Sequence, residues 1–416
     1  MISEIKGKAK DWLLWSQKYT RTDMVYLAKG GFWLTLGDVI ASGMSFVMAI
    51  AFAHFISKDL FGTYKYILSI TGILSIFSLS GLGTALKRSV AQGKEGSLMP
   101  TLKTALRWAT LGSIGSLGVS VYYFFYQNNI LGWAFILIAI LLPFKDNFSL
   151  YSNVLEGKKL FKTGVKYSLT TNIISSSILI LTVILSKNIF LILGAYFIPR
   201  MLVTLFFFLK TLRSIPADAP KDPNITTYGK HLSILSVLEM VAERLDTILL
   251  WNLLGAPAVA IYSFALAPTI QIRGPLGALS ILAFPKLAQN TKEELRKTLP
   301  RKLVTMFIIV ATITFVYIVA APFLFKTFFP KYMGSVIYSQ VFALSLLLMP
   351  RNLLFDTMIA HGEKKKLYII NIVGSSFRII IMFIMIRMFG IWGAIYSYLI
   401  SSVFSFGAAA YLFKRP

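Results

Sequence analysis

The sequence predicts an all-α polytopic membrane protein of about twelve spanning helices. Three observations carry this. Of 416 residues, 56% are hydrophobic, and the mean hydropathy is +0.70. Charged residues make up 14% of the chain, against about 25% in a soluble domain. The apolar residues fall in runs close to the ~20 needed to cross a bilayer as a helix.

Taken in order, the runs place spans near 32–56, 61–85, 104–126, 130–153, 166–186, 188–210, 231–254, 257–285, 303–326, 333–360, 367–388 and 391–413. The connections alternate in character. Those at 57–60, 127–129, 187, 255–256, 327–332 and 389–390 are short and poor in cations, whereas 86–103, 154–166, 210–230, 286–302 and 361–366 are longer and basic. Most of the 42 Lys and Arg lie in the termini and the basic loops; Lys58, Lys187, Lys326, Lys331 and Arg387 lie near the opposite ends. Cationic loops stay in the cytoplasm, so both termini are expected there, in a prokaryotic plasma membrane. This scatter over short loops accounts for the net charge of +25 and forms no stripe for nucleic acid.

Residues 1–30 hold six basic residues and no apolar core ending in small residues, so no cleavable signal is read there. Asp11 to Tyr19 (DWLLWSQKY) fits a short interfacial helix and fits a disordered basic tail equally well. The chain holds no cysteine, which excludes disulfides and thiol nucleophiles. His54, His231 and His361 are isolated, and no HExxH, GxxxxGK[ST] or GxSxG occurs. No cofactor, metal or enzyme activity is expected.

The chain reads as a duplication. Residues 55–64 (FISKDLFGTY) compare with 253–262 (LLGAPAVAIY), and 141–148 (LLPFKDNF) with 346–353 (LLLMPRNL), at nearly the same offset. GKKLF from Gly157 then meets GEKKKLY from Gly362. The organisation expected is a cytoplasmic segment over 1–30, a six-helix bundle over 31–213, a cytoplasmic linker over 214–230 and a second six-helix bundle over 231–416. An even number of helices per unit makes the two halves parallel repeats.

Chemistry is expected where charge lies inside spans, because each such residue costs on the order of 2.5–3.5 kcal/mol at a helix centre and so faces protein or water. Lys65 and Arg107 lie near span ends and can snorkel. Arg200, Arg244, Arg273 and Arg378 fall near mid-membrane, with Lys145 and Arg351 nearer the cytoplasm. Four of these six stand beside proline: Lys145 by Pro143, Arg200 by Pro199, Arg273 by Pro275 and Arg351 by Pro350. A helix broken in a membrane is tolerated where it lines a cavity, so the pattern predicts a polar central cavity built from both halves. The acids are Asp38, Asp146, Glu239, Glu243, Asp246 and Asp356. Glu239, Glu243 and Asp246 are spaced to share one helix face. Two readings fit them: cations from other helices neutralise them, or H+ or Na+ comes and goes.

The stretch AFAHFISKDLFGTYKYILSITGILSIFSLSGLGTALKRSVAQGKEG at 51–96, with ERLDTILLWNLLGAPAVAIYSFALAP at 243–268, resembles the Wzx-type polysaccharide flippases of the MOP superfamily, which carry O-antigen and capsule repeats. The resemblance covers most of the chain and rests on a diffuse pattern. It implies two six-helix bundles in a MATE-like V that open alternately to each side. It implies movement of an oligosaccharide linked through a diphosphate to undecaprenol, from inner to outer leaflet, by a monomer working beside other polysaccharide assembly proteins. Arginine suits that head group, since it stays charged and grips phosphate oxygens in a two-pronged geometry. The expected contacts are Arg200, Arg244, Arg273, Arg351 and Arg378, with Lys145. The competing expectations are a MATE-type antiporter of organic cations, for which an arginine-lined cavity is a poor host, and a membrane glycosyltransferase or polymerase.

Overall fold

The computed structural model describes residues 24–289 and 292–414. The DWLLWSQKY segment lies outside them. The described residues form helices and turns, as expected where lipid cannot satisfy backbone N–H and C=O groups.

The long helices are α1 (Met24–Phe55), α2 (Lys58–Ser78), α4 (Leu98–Phe125), α5 (Asn129–Gly157), α6 (Phe161–Leu185), α7 (Ile189–Arg213), α8 (Ile225–Leu254), α9 (Ala256–Gln289), α10 (Lys292–Phe328), α11 (Pro330–Ala360), α12 (Lys364–Phe389) and α13 (Ile391–Lys414), with a short α3 (Gly81–Ala91) after α2. Among the described residues, nine segments are long and apolar enough to cross a membrane. The remaining long helices are α4, α8 and α9. In α8 the reason is visible: Glu239, Glu243, Arg244 and Asp246 lower its hydropathy. Such a helix must face protein or water in place of lipid.

Helix ends differ from the apolar runs for a local reason. The polar first turns of α8, from Ile225, and of α10, from Lys292, lie outside the hydrophobic stretches, so hydropathy started both too late. The linker between halves is accordingly shorter than 214–230. Its Asp222 N–H donates to Ser97 Oγ at 2.8 Å, which pins it to the first half. The short turns are built by caps. Ser57, Asn128 and Asn188 accept from the N–H groups of Leu60, Leu131 and Phe190, and Gly255 and Gly390 end α8 and α12 at positive φ.

The four prolines behave differently. Pro143 and Pro350 fall in real interruptions, where α5 passes through tight turns at Leu142–Phe144 and Asn147–Ser149 and α11 through one at Leu344–Leu348 before Arg351 restarts it. The two breaks coincide in the aligned repeat. By contrast α7 continues through Pro199, and α9 continues through position 275. α2 has a break that the sequence did not announce: Leu79 adopts φ 56° and turns the chain into α3.

Packing repeats with the sequence. α1 packs on α6 as α8 packs on α12; α4 on α5 as α10 on α11; α6 on α7 as α12 on α13; and α5 on α7 as α11 on α13. The halves meet where α1, α2 and α3 touch α8 and α9. On the short-turn face they share one aromatic core, including Phe52, Phe61 and Phe135 from the first half with Phe264, Phe325 and Tyr332 from the second. On the basic-loop face the cores are separate, one within the second half and one of first-half residues joined by Ile225 of α8. The halves also meet there, where α3 packs on α8: Gly81 N–H donates to Ser233 Oγ at 3.0 Å, beside Ser80 and Ser236. A Cβ at Gly81 would lie 2.6 Å from the Gly229 oxygen, so only glycine permits this approach.

Candidate functional site

Among the described residues, the expected cations and acids do not line one common cavity. The charges divide among a cavity in each half and the seam between them. The reason is angular: neighbours on one helix point about 100° apart, so Glu243, Arg244 and Asp246 on α8 reach three different environments.

In the first half, a cavity of 230 Å³ lies between α1, α5 and α6, lined by Asp38, Glu156, Ser152, Ser168 and Asn172. Asp38 is exposed to it. Glu156 also pairs with Lys87 at 2.8 Å. Arg200 lies nearby on α7, exposed, with Nη1 donating to Asn172 Oδ1 at 3.5 Å.

In the second half, a cavity of 330 Å³ lies between α8, α11, α12 and α13. Glu239 and Glu243 line it from α8, Arg351 and Asn352 from α11, and Asn371 and Arg378 from α12. An adjoining cavity of 220 Å³ contains Arg273 and shares Arg351 and Tyr398 with the first. The three arginines gather at Tyr398. Arg273 donates through Nη1 to the Tyr398 hydroxyl and through Nη2 to Ser345 Oγ, both at 2.5 Å. The Arg273 and Arg378 guanidiniums sit 5.0 and 4.9 Å from the centre of the Tyr398 ring, within the range of cation–π attraction. Arg351 donates to the Ser402 carbonyl at 3.5 Å.

At the seam, Arg244 is exposed and lies against α2, its Nε 3.0 Å from where a Cβ on Gly72 would stand. Lys65, on the same face of α2 two turns away, is half-buried, its Nζ 5.5 Å from the centre of the Phe61 ring. Lys65 looked able to snorkel from its sequence position; that α2 packs on α8 at the seam could not be read from α2 alone. Among the described residues, no carboxylate lies within the 4.0 Å of an ion pair from Lys65, Arg244, Arg273, Arg351 or Arg378. The expected neutralisation of Glu239 and Glu243 by direct arginine pairing is therefore absent among them.

The remaining expected residues go elsewhere. Asp246 is buried and points away from Glu239 and Glu243, accepting from Tyr262 Oη and from the Thr247 N–H, both at 2.6 Å. Lys145 sits in the break of α5, held by Ser75 Oγ and by Asp146 at 3.0 Å each. Asp146 is spent on that pair. Asp356 is half-buried on α11, outside the lining of either cavity. Sequence reasoning missed Tyr398, since a tyrosine in an aromatic-rich span carries no signal until its neighbours are known.

A family model described as "Polysaccharide biosynthesis protein" matches residues 27–291. The chain belongs to that family. Among solved structures, it is similar to "Lipid II flippase MurJ, inward closed conformation", with a TM-score of 0.61 at 14% identity over 91% of this chain and 87% of that one. It is also similar to a structure titled "Crystal structure of MATE in complex with MaD5", with a TM-score of 0.57 at 14% identity over 92% and 96%. A third is "MATE transporter ClbM in complex with Rb+", with a TM-score of 0.56 at 14% identity over 94% of each chain. No curated protein matches. The fold is the all-helical one of MOP-superfamily transporters, and the family member is a multi-pass membrane protein.

Proposed function

We propose that this family member is a flippase that carries a polyprenyl-diphosphate-linked oligosaccharide from the inner to the outer leaflet by alternating access. The observation that carries the reading is the set of membrane cations without carboxylate partners among the described residues: Lys65 on α2, Arg244 lying against α2 at the seam, and Arg273, Arg351 and Arg378 in the second half. A diphosphate supplies the negative charge these cations lack while its polyprenyl tail stays in lipid. The seam is also where the halves must part, so an anion bound there touches both. A carrier of organic cations would gain nothing from this arrangement.

The halves share an aromatic core on the short-turn face, whereas their hydrophobic cores on the basic-loop face are separate clusters. Access from the basic-loop side, with that side cytoplasmic in a prokaryotic inner membrane, follows from the charge bias of the loops. For coupling to H+ or Na+, Asp38 in the first half and Glu239 and Glu243 in the second are carboxylates that line a cavity and, unlike Glu156, form no ion pair among the described residues. The protein works as a monomer alongside other polysaccharide assembly proteins.

Proteoliposomes test this. Undecaprenyl diphosphate bearing an oligosaccharide is expected to cross between leaflets with wild type and to slow on the order of 10²-fold in Arg244→Ala, as the loss of a charge-assisted contact implies. Movement of cationic dyes in place of the lipid, under sodium or proton gradients, would establish the antiporter reading instead.

A further inference from the structure

We infer that the cavity of the second half seats the sugar portion of the cargo, while the diphosphate stays at the seam. The inference rests on the flippase reading above and adds which ligand group goes where. The lining is zwitterionic: Glu239 and Glu243 on one wall, Arg351 and Arg378 on the others, with Asn352 and Asn371 between them. A diphosphate there would meet two carboxylates, and an organic cation would meet two guanidiniums. A sugar ring meets neither objection. Each hydroxyl is donor and acceptor at once, so neighbouring hydroxyls can donate to a carboxylate and accept from a guanidinium or an amide.

Three further observations point to a seat for a ligand in place of an internal salt-bridge cluster. The opposite charges have not collapsed onto one another: no ion pair forms between these acids and arginines among the described residues. Tyr398 explains part of this, since Arg378 rests over its ring and Arg273, bonded to its hydroxyl, keeps the ring in place. Such preorganisation favours binding. The volume of 330 Å³ falls at the lower end of small-molecule sites, roughly 300–1,000 Å³. Finally, Glu243 opens into the cavity and the next residue, Arg244, stands at the seam. A diphosphate at Arg244 would thus sit at the residue next to this cavity's α8 wall.

The test compares two lipids that differ only in the glycan: undecaprenyl diphosphate, and the same lipid bearing a trisaccharide of neutral hexoses. Binding is measured to the full chain in nanodiscs, with melting temperature recorded for each variant. In wild type the trisaccharide is expected to add at least about tenfold in affinity, the worth of one or two good hydrogen bonds. Asn371→Ala, and independently Ser375→Trp, which fills the cavity from the α12 residue Ser375 that also lines it, should erase that gain and leave the sugarless lipid unchanged. Lys65→Ala should weaken both lipids alike. If the trisaccharide adds nothing in wild type, or its gain survives both cavity variants, the sugar seat is overturned and the flippase reading stands. If neither lipid binds wild type, the flippase reading falls and the sugar seat falls with it.

Discussion

The first-half cavity and the second-half cavity occupy corresponding places in the repeat, one beneath α1, α5 and α6, the other beneath α8, α11, α12 and α13. Each has carboxylates on its first helix or close by, and each has an asparagine across from them, Asn172 in one and Asn371 in the other. The first is lined by acids without an arginine; its nearest, Arg200, is exposed and reaches Asn172 by a long contact. The second has acquired Arg351 and Arg378, with Arg273 behind them, organised about one tyrosine. A duplicated scaffold has thus kept its helix packing and parted in its chemistry, with an acidic pocket in one half and a zwitterionic one in the other.

That contrast can be broken. The double substitution Arg351→Ala with Arg378→Ala makes the second cavity acidic like the first. It should cut transport of the glycosylated lipid on the order of 10²–10³-fold, since two charge-assisted contacts are lost; initial rates in proteoliposomes measure it. Transport at the wild-type rate would show that the cationic wall plays no part in the cargo path.

The stability of the two halves should differ next. Tyr398→Ala removes the ring beside two guanidiniums and the acceptor for Arg273, and should destabilise the protein by about 2–4 kcal/mol. Asn172→Ala, which loses one 3.5 Å contact to an exposed arginine, should cost under about 0.5 kcal/mol. Melting curves in detergent rank the two, and equal losses would contradict the packing described.

Sharpening the comparison calls for charge-neutral acids. Asp38→Asn should abolish acceleration by an imposed proton or sodium gradient while keeping about a tenth or more of the downhill rate. Glu239→Gln should keep the gradient response if the second cavity serves the cargo alone. A gradient response lost in Glu239→Gln and retained in Asp38→Asn would exchange the roles. Lys145→Met breaks only the pair with exposed Asp146 and the bond to Ser75; a change within about 1 kcal/mol is expected in the same melts.

Much of the fold was legible because its causes are local. Long apolar runs must become helices in lipid, Pro143 and Pro350 lack the N–H that would continue one, and Ser57, Asn128 and Asn188 carry the side chains that start the next. The same locality explains the misses. Pro199 and Pro275 have the same chemistry as the other two, yet their helices run on; whether a freed carbonyl finds support depends on neighbours that sequence does not name. Leu79 has no glycine's freedom, and its turn follows from where α3 must pack on α8.

The candidate site divides along the same line. Sequence by itself determined that charges lie within the membrane and that Glu239, Glu243, Arg351 and Arg378 must therefore face protein or water, because burial of a charge in hydrocarbon is costly wherever the helix goes. Only the tertiary structure decided which of them meet. Arg273 of α9 and Arg378 of α12 meet at Tyr398 with Arg351 of α11 lining the same cavity, Arg244 lies against α2 across the seam, and Asp246 leaves Glu239 and Glu243 for Tyr262. The physical reason is that hydropathy is a property of each helix alone, while a site is set by the rotation of several helices about their own axes, fixed by packing.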